Sequence, residues 1–167
     1  LTVIFDLTVA IEVGLLIACV LFMKRVMETT DISVIKNEID PNNESDLEVH
    51  EEHLMVPEGV EVYEINGPYF FGIATKFEEI MSELGDRPKV RIIRMRKVPF
   101  IDSTGIHNLT NLCEMSKKEN IHIVLSGVNE KVHKVLEKAG FYDLLGEDNI
   151  CPNINVALEK AKAIVEK

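Results

Sequence analysis

Asp102-Ser103-Thr104-Gly105 sets two hydroxyls directly behind a carboxylate and ahead of a glycine. Such a run suits the start of a helix, where the first N–H groups have no intrahelical acceptor. Asp102 or Ser103 is a fitting N-cap, and Gly105 lets another stretch of chain approach closely. The same place favours added negative charge. A phosphate on Ser103 or Thr104 would be stabilised by exposed amides and the helix dipole, and repelled by Asp102. Two readings therefore stand, a capping turn and a phosphoacceptor loop. Just upstream, Arg94, Arg96 and Lys97 form a candidate patch for an anionic ligand, a nucleotide or the acidic face of a partner protein. Solvated charge at a strand end accounts for them as well.

Other reactive side chains carry less. His50-Glu-Glu-His53 is one residue short of the zincin spacing, which sets its histidines four apart on one helical face. No third ligand accompanies it, so no metal is expected. Cys19, Cys113 and Cys151 are odd in number and widely separated, which reads as reduced thiols, with Cys113 in the core. No P-loop, dinucleotide fingerprint or Ser-His-Asp order is present, so neither an enzyme nor a cofactor is expected. Asp6 and Glu12 sit in or beside a long apolar run. Ionisable groups at membrane depth usually face a protein interior or a water-filled cavity. Glu12 fits a helix packed in a polytopic bundle or a buried hydrogen-bonded residue, and Asp6 fits the headgroup level.

The elements that hold these groups begin with that run. Leu1 to Met23 is almost wholly apolar and is followed at once by Lys24-Arg25. A bilayer-spanning helix needs about 20 such residues. A signal peptide would carry its basic residues in front and a small-residue cleavage site behind. The basic pair after the run places the rest of the chain in the cytoplasm, with the span in the plasma (inner) membrane. The chain starts at Leu1 rather than Met, and the expectation is a piece of a longer protein.

Formal net charge is −10, unevenly spread. Residues 28–59 hold ten carboxylates against Lys36 alone, whereas residues 60–167 hold 16 acids and 15 bases. The acidity belongs to a connecting segment that resists compaction. The near-neutral remainder is the size of one domain. No basic face suggests nucleic acid. The expected organisation is a transmembrane helix over residues 1–25, an acidic linker over 26–56 and a folded module over 57–167.

Within the module, Val60 to Ile65 alternates apolar and polar as a strand does. Asn66-Gly67-Pro68 marks a turn, and Tyr69-Phe-Phe-Gly72 is expected to pair back on the first strand. Ile73 to Leu84 has helical spacing, with Gly85 at its end. Val90 to Met95 reads as a central strand, then a helix carries Ile106, Leu109, Leu112, Cys113 and Ser116 on one face. Ile121 to Leu125 is another strand. Asn129 caps a helix with Val132, Val135, Leu136 and Ala139 inward, closed by Gly140. Residues 144–151 are ambiguous, with a short edge strand near Ile150. Asn153 or Asn155 caps a last helix whose apolar face is Leu158, Ala161, Ile164 and Val165. This order predicts an α/β domain with a mixed sheet and about four helices, whose strand-to-helix loops gather at one end.

Val98 to Ile106, together with Gly127-Val-Asn-Glu-Lys-Val-His-Lys-Val-Leu-Glu-Lys-Ala-Gly-Phe141, resembles the STAS domain. That domain is shared by anti-sigma-factor antagonists and sulfate-permease-type (SulP) anion transporters. Phe5 to Leu15 resembles the last membrane region of SulP transporters. The resemblance implies the C-terminal part of a secondary transporter for sulfate, bicarbonate or dicarboxylates, driven by H⁺ or Na⁺. This part alone would move nothing and would serve assembly or regulation. Its implied partners are the rest of the membrane domain, a second copy in the membrane, and a cytosolic protein or nucleotide at the loop. In the antagonist branch the serine directly after the aspartate is phosphorylated, which corresponds to Ser103. The alternative it implies is a membrane-tethered phospho-switch that binds a kinase-like or anti-sigma-type partner.

Overall fold

The structure, a computed structural model, describes residues 7–28, 31–35, 38–39, 54–69 and 87–166. Asp6, the His50/His53 pair, Phe70 to Gly72 and the expected helix from Ile73 to Leu84 lie outside the described residues.

Helix α1 spans Leu7–Glu28. Its window Leu7–Arg25 has a mean hydropathy of 2.2 and none of it is buried against the rest of the protein. Twenty-two residues at 1.5 Å each give about 33 Å, enough for a hydrocarbon core. A core helix of the same composition would be covered. This one exposes Leu15, Leu16, Ile17, Val20, Leu21 and Phe22 together.

Strand β1 is Asp31–Ile35, and the two-residue strands β2, Glu38–Ile39, and β3, Leu54–Met55, pair with each other. The main strands come next: β4 Val60–Asn66, β5 Val90–Arg94, β6 His122–Ser126 and β7 Ile150–Cys151. Between and after them lie helices α2 Ser103–Lys118, α3 Glu130–Lys138, α4 Phe141–Leu145 and α5 Ile154–Val165.

Five strands form one mixed sheet in the order β1-β4-β5-β6-β7. Neighbours from β4 to β7 are parallel, and β1 closes the edge antiparallel to β4. The parallel strands are covered on both faces, so apolar residues are buried on each, with Glu61, Glu64, Arg91 and Arg94 set among them. One face carries Tyr63, Ile65, Ile93 and Leu125 against α2, α3 and α4, with Leu109, Leu136 and Phe141 prominent. The other carries Val62, Val90, Ile92 and Val124 against Ile154, Ala157, Leu158 and Ala161 of α5. Period-two alternation divides the strand residues between the two cores.

Three local expectations change, and one ambiguity is settled with the edge strand near Ile150 where it was expected. The antiparallel partner of β4 is Asp31–Ile35, inside the segment read as a linker, and not the stretch after the Asn66-Gly67-Pro68 turn. Ile32 is buried in the first core and Val34 packs on it, so two apolar residues draw this strand in despite its acidic neighbourhood. Tyr69 instead makes a parallel bridge to Ile101. Val135 and Ala139 face outward on α3, leaving Val132 and Leu136 as its buried pair. The ambiguous stretch 144–151 resolves into the end of α4, a 3₁₀ turn at Glu147–Asn149 and β7.

The expected caps form at both asparagines. Asn129 Oδ1 accepts from Val132 N at 3.0 Å, and Asn153 Oδ1 accepts from Val156 N at 3.0 Å, so Asn153 is the cap of α5 and Asn155 lies within it.

Candidate functional site

The Asp-Ser-Thr-Gly turn lies at the C-terminal ends of the parallel strands, where β5 hands over to α2. Asp102 is the N-cap: its backbone is extended, and its Oδ1 accepts from Gly105 N at 2.6 Å. Ser103 and Thr104 therefore occupy the first two helical positions and are exposed. Their N–H groups lie in the first turn, before any intrahelical acceptor exists. Gly105 is buried beneath Tyr69 and Ile101.

Two neighbouring segments clamp the loop. Gly67 N donates to Lys97 O at 3.3 Å, and Tyr69 N donates to Phe100 O at 3.0 Å. From the next loop, Asn129 Nδ2 donates to Val98 O while its Oδ1 caps α3. One asparagine thus ties the β6–α3 connection to the β5–α2 connection. Gly127 passes close by at φ +67°, its Cβ direction 3.2 Å from Arg96 Cβ. The result is a fixed platform that presents Asp102, Ser103 and Thr104 to solvent, with Phe100 half exposed beside them.

The candidate basic patch is not assembled as a patch. Arg94 is buried, with Nη1 3.4 Å from Glu64 Oε1. Lys97, which is part exposed, reaches the other oxygen of the same carboxylate at 3.5 Å. Strand alternation sends Arg94 to the α5 face of the sheet, opposite α2, so it is not beside Ser103. Neither expectation for Arg94 survives: its guanidinium is neither an open anion site nor solvated. Only Arg96 and Lys97 are exposed on the turn.

Glu64 is the residue that sequence reasoning missed, and a signal for it existed. Glu61 and Glu64 on one strand have the same spacing as Arg91 and Arg94 on another. Parallel pairing sets Glu61 opposite Arg91 and Glu64 opposite Arg94, one pair on each face. On the α2 face, Arg91 Nε lies 3.9 Å from Glu61 Oε2, and Tyr63 Oη donates to that same oxygen at 2.7 Å. Burial, reinforced by Glu61, pushes the Tyr63 phenol well above its ordinary pKa. These buried pairs fix strand register rather than offer a reactive centre.

Glu12 lies on an exposed part of α1. Cys113 is in the core as expected, its thiol pushed up to about 12 mainly by burial. Among the described residues no group of three or more His, Cys, Asp or Glu is arranged to hold a metal.

This order of elements, with the Asp102-capped turn between β5 and α2, coincides with a known domain: the STAS domain family matches residues 53–157. The chain belongs to the STAS domain family. The crystal structure of a sulfate transporter family protein from Wolinella succinogenes is 43% identical and superposes with a TM-score of 0.65, covering 68% of this chain and 93% of that one. The STAS domain of a SulP transporter from Vibrio cholerae is 37% identical, with a TM-score of 0.61 over 67% of this chain and 88% of that one. Sulfate transporter 1.2 of Arabidopsis thaliana is 28% identical across 90% of this chain but only 25% of its own length. The chain thus spans about a quarter of that relative. An anti-sigma factor antagonist from Mycobacterium paratuberculosis shares the STAS fold at 18% identity, with a TM-score of 0.53 over 79% of this chain and 95% of that one.

Proposed function

We propose that this chain is the last membrane span and the cytoplasmic STAS module of a SulP-type secondary anion transporter, and that the module regulates or assembles the transporter. One observation carries the reading: an uncovered apolar helix, Leu7–Arg25, stands ahead of a STAS fold 43% identical to that of a sulfate transporter family protein. The span would lie in the plasma (inner) membrane with residues 24–167 in the cytoplasm, following Lys24 and Arg25. Its first partner is the remainder of the membrane domain, and a second copy in the membrane is the next. The folded module would comprise residues 57–167 together with the edge strand β1, which the acidic segment between span and module contributes. The reading assigns no catalysis to the chain.

Regulation would act at Ser103. The hydroxyl is exposed at the first position of a helix, where added charge meets the helix amides and Asp102 together. Exposure of Ser103 also favours the second reading, a tethered phospho-switch that docks a kinase-like partner. Uptake of labelled sulfate by the full-length protein, at matched membrane levels, tests both. Ser103→Asp is expected to change uptake while Ser103→Ala does not. Unchanged uptake with altered partner capture would favour the switch. Unchanged uptake and capture in both variants would reduce the turn to a cap.

A further inference from the structure

At the far end of α2 from Ser103, a cavity of about 320 Å³ opens between the C-terminus of α2, the start of β6 and α4. Fourteen residues separate Ser103 from Lys117, so the two places lie about 21 Å apart along the helix. The volume is at the small end of ligand pockets, which run from about 300 Å³ upward. Ile123, Leu144 and Leu145 supply apolar wall, and Cys113 closes the inner side with a neutral thiol. Lys117, His122 and Asn149 supply the polar groups at the rim. No carboxylate lines it among the described residues. Asn149 is held in place because its Nδ2 donates to Leu145 O at 2.6 Å.

Leu144 is exposed here although it is a large aliphatic residue on a five-residue helix. An ammonium group on one side and an uncovered leucine on the other suit a guest with a charged end and an apolar body. We infer that this cavity binds a small organic monocarboxylate, its carboxylate on Lys117 and its apolar body against Leu144, Leu145 and Ile123. The site goes beyond the proposed regulation at Ser103 and is independent of it. A charge-assisted hydrogen bond from a lysine is about twice as strong as a neutral one. Lys117 therefore sets the preference for an anion, and the leucines set the preference for an apolar body over a bare inorganic ion.

The test uses the whole chain in phospholipid nanodiscs, with isotope-labelled Ile and Leu methyl groups read by NMR. Benzoate is the probe; benzamide keeps the body without the charge, and sulfate keeps the charge without the body. Benzoate is expected to shift the methyls of Ile123, Leu144 and Leu145 saturably, and the two comparators are expected to bind at least about tenfold more weakly. Lys117→Ala should weaken benzoate about tenfold, and Lys118→Ala on the same helix should leave it within about twofold. Both lysines are exposed, so neither change endangers folding. Benzoate shifts that fail to saturate by about 10 mM would overturn the site. Equal binding of benzamide would overturn the role of the charge, and equal binding of sulfate that of the apolar wall.

Discussion

A side chain on Gly105 would meet the backbone of Tyr69: the first carbon would stand 2.4 Å from the Tyr69 carbonyl oxygen and 2.8 Å from its ring. That carbonyl also accepts from Asp102 N at 3.4 Å, so the same few atoms hold the cap, the helix start and the segment after β4 together. Gly105→Ala should cost at least the 1–3 kcal/mol, roughly, of an overpacked core, because backbone rather than a flexible side-chain tip is in the way. Urea unfolding of the chain in detergent measures it. A variant as stable as the wild type would mean that α2 can start elsewhere.

Arg94 and Lys97 share one carboxylate but should differ sharply in consequence. Arg94 and Glu64 are both largely buried, so Arg94→Ala leaves an incompletely paired charge and is expected to cost about 3 kcal/mol. Lys97 is far more exposed, and Lys97→Ala should cost no more than about 1 kcal/mol. Paired denaturation curves decide this. Equal losses would contradict the buried placement of Arg94.

Strand β1 belongs to the folded unit. Two forms lacking α1, one beginning at residue 29 and one at residue 60, are expected to differ in stability. The shorter loses the β1–β4 pairing and uncovers the site where Ile32 is buried, worth about 2 kcal/mol for that side chain alone. Thermal unfolding of the two forms reads the difference. Coincident midpoints would make β1 dispensable.

Alkaline pH should weaken the fold in a defined window. The Cys113 thiol, ordinarily near 9, is raised to about 12 in the folded chain, chiefly by burial. Above pH 9 the unfolded chain releases this proton and the native chain keeps it. The contribution is therefore whole below pH 9 and is lost as pH rises toward 12, at up to about 1.4 kcal/mol per pH unit. Tyr142, raised to about 12 mainly by burial, acts in the same direction. Urea midpoints at pH 8 and pH 10.5 should fall less in Cys113→Ala than in the wild type. Equal falls would show that the thiol is not held protonated by the core.

By itself the sequence determined the apolar run, the strands around Val60, Val90 and Ile123, a helix start at Asp102 or Ser103, and caps at Asn129 and at Asn153 or Asn155. These rest on local signals: run length, period two, and small polar residues ahead of helical spacing. The tertiary structure decided what depends on distant partners. Asp31–Ile35 is too short a run, inside an acid-rich segment, to announce a strand, and only docking beside β4 buries Ile32. Whether Asp102 or Ser103 caps α2 turned on the direction in which the chain leaves Ile101, against Tyr69. Arg94 looked like surface charge because its partner, Glu64, is thirty positions away and meets it only through parallel register. Contacts of that range are set by how strands pair, and a single sequence states each strand's pattern without naming its neighbour.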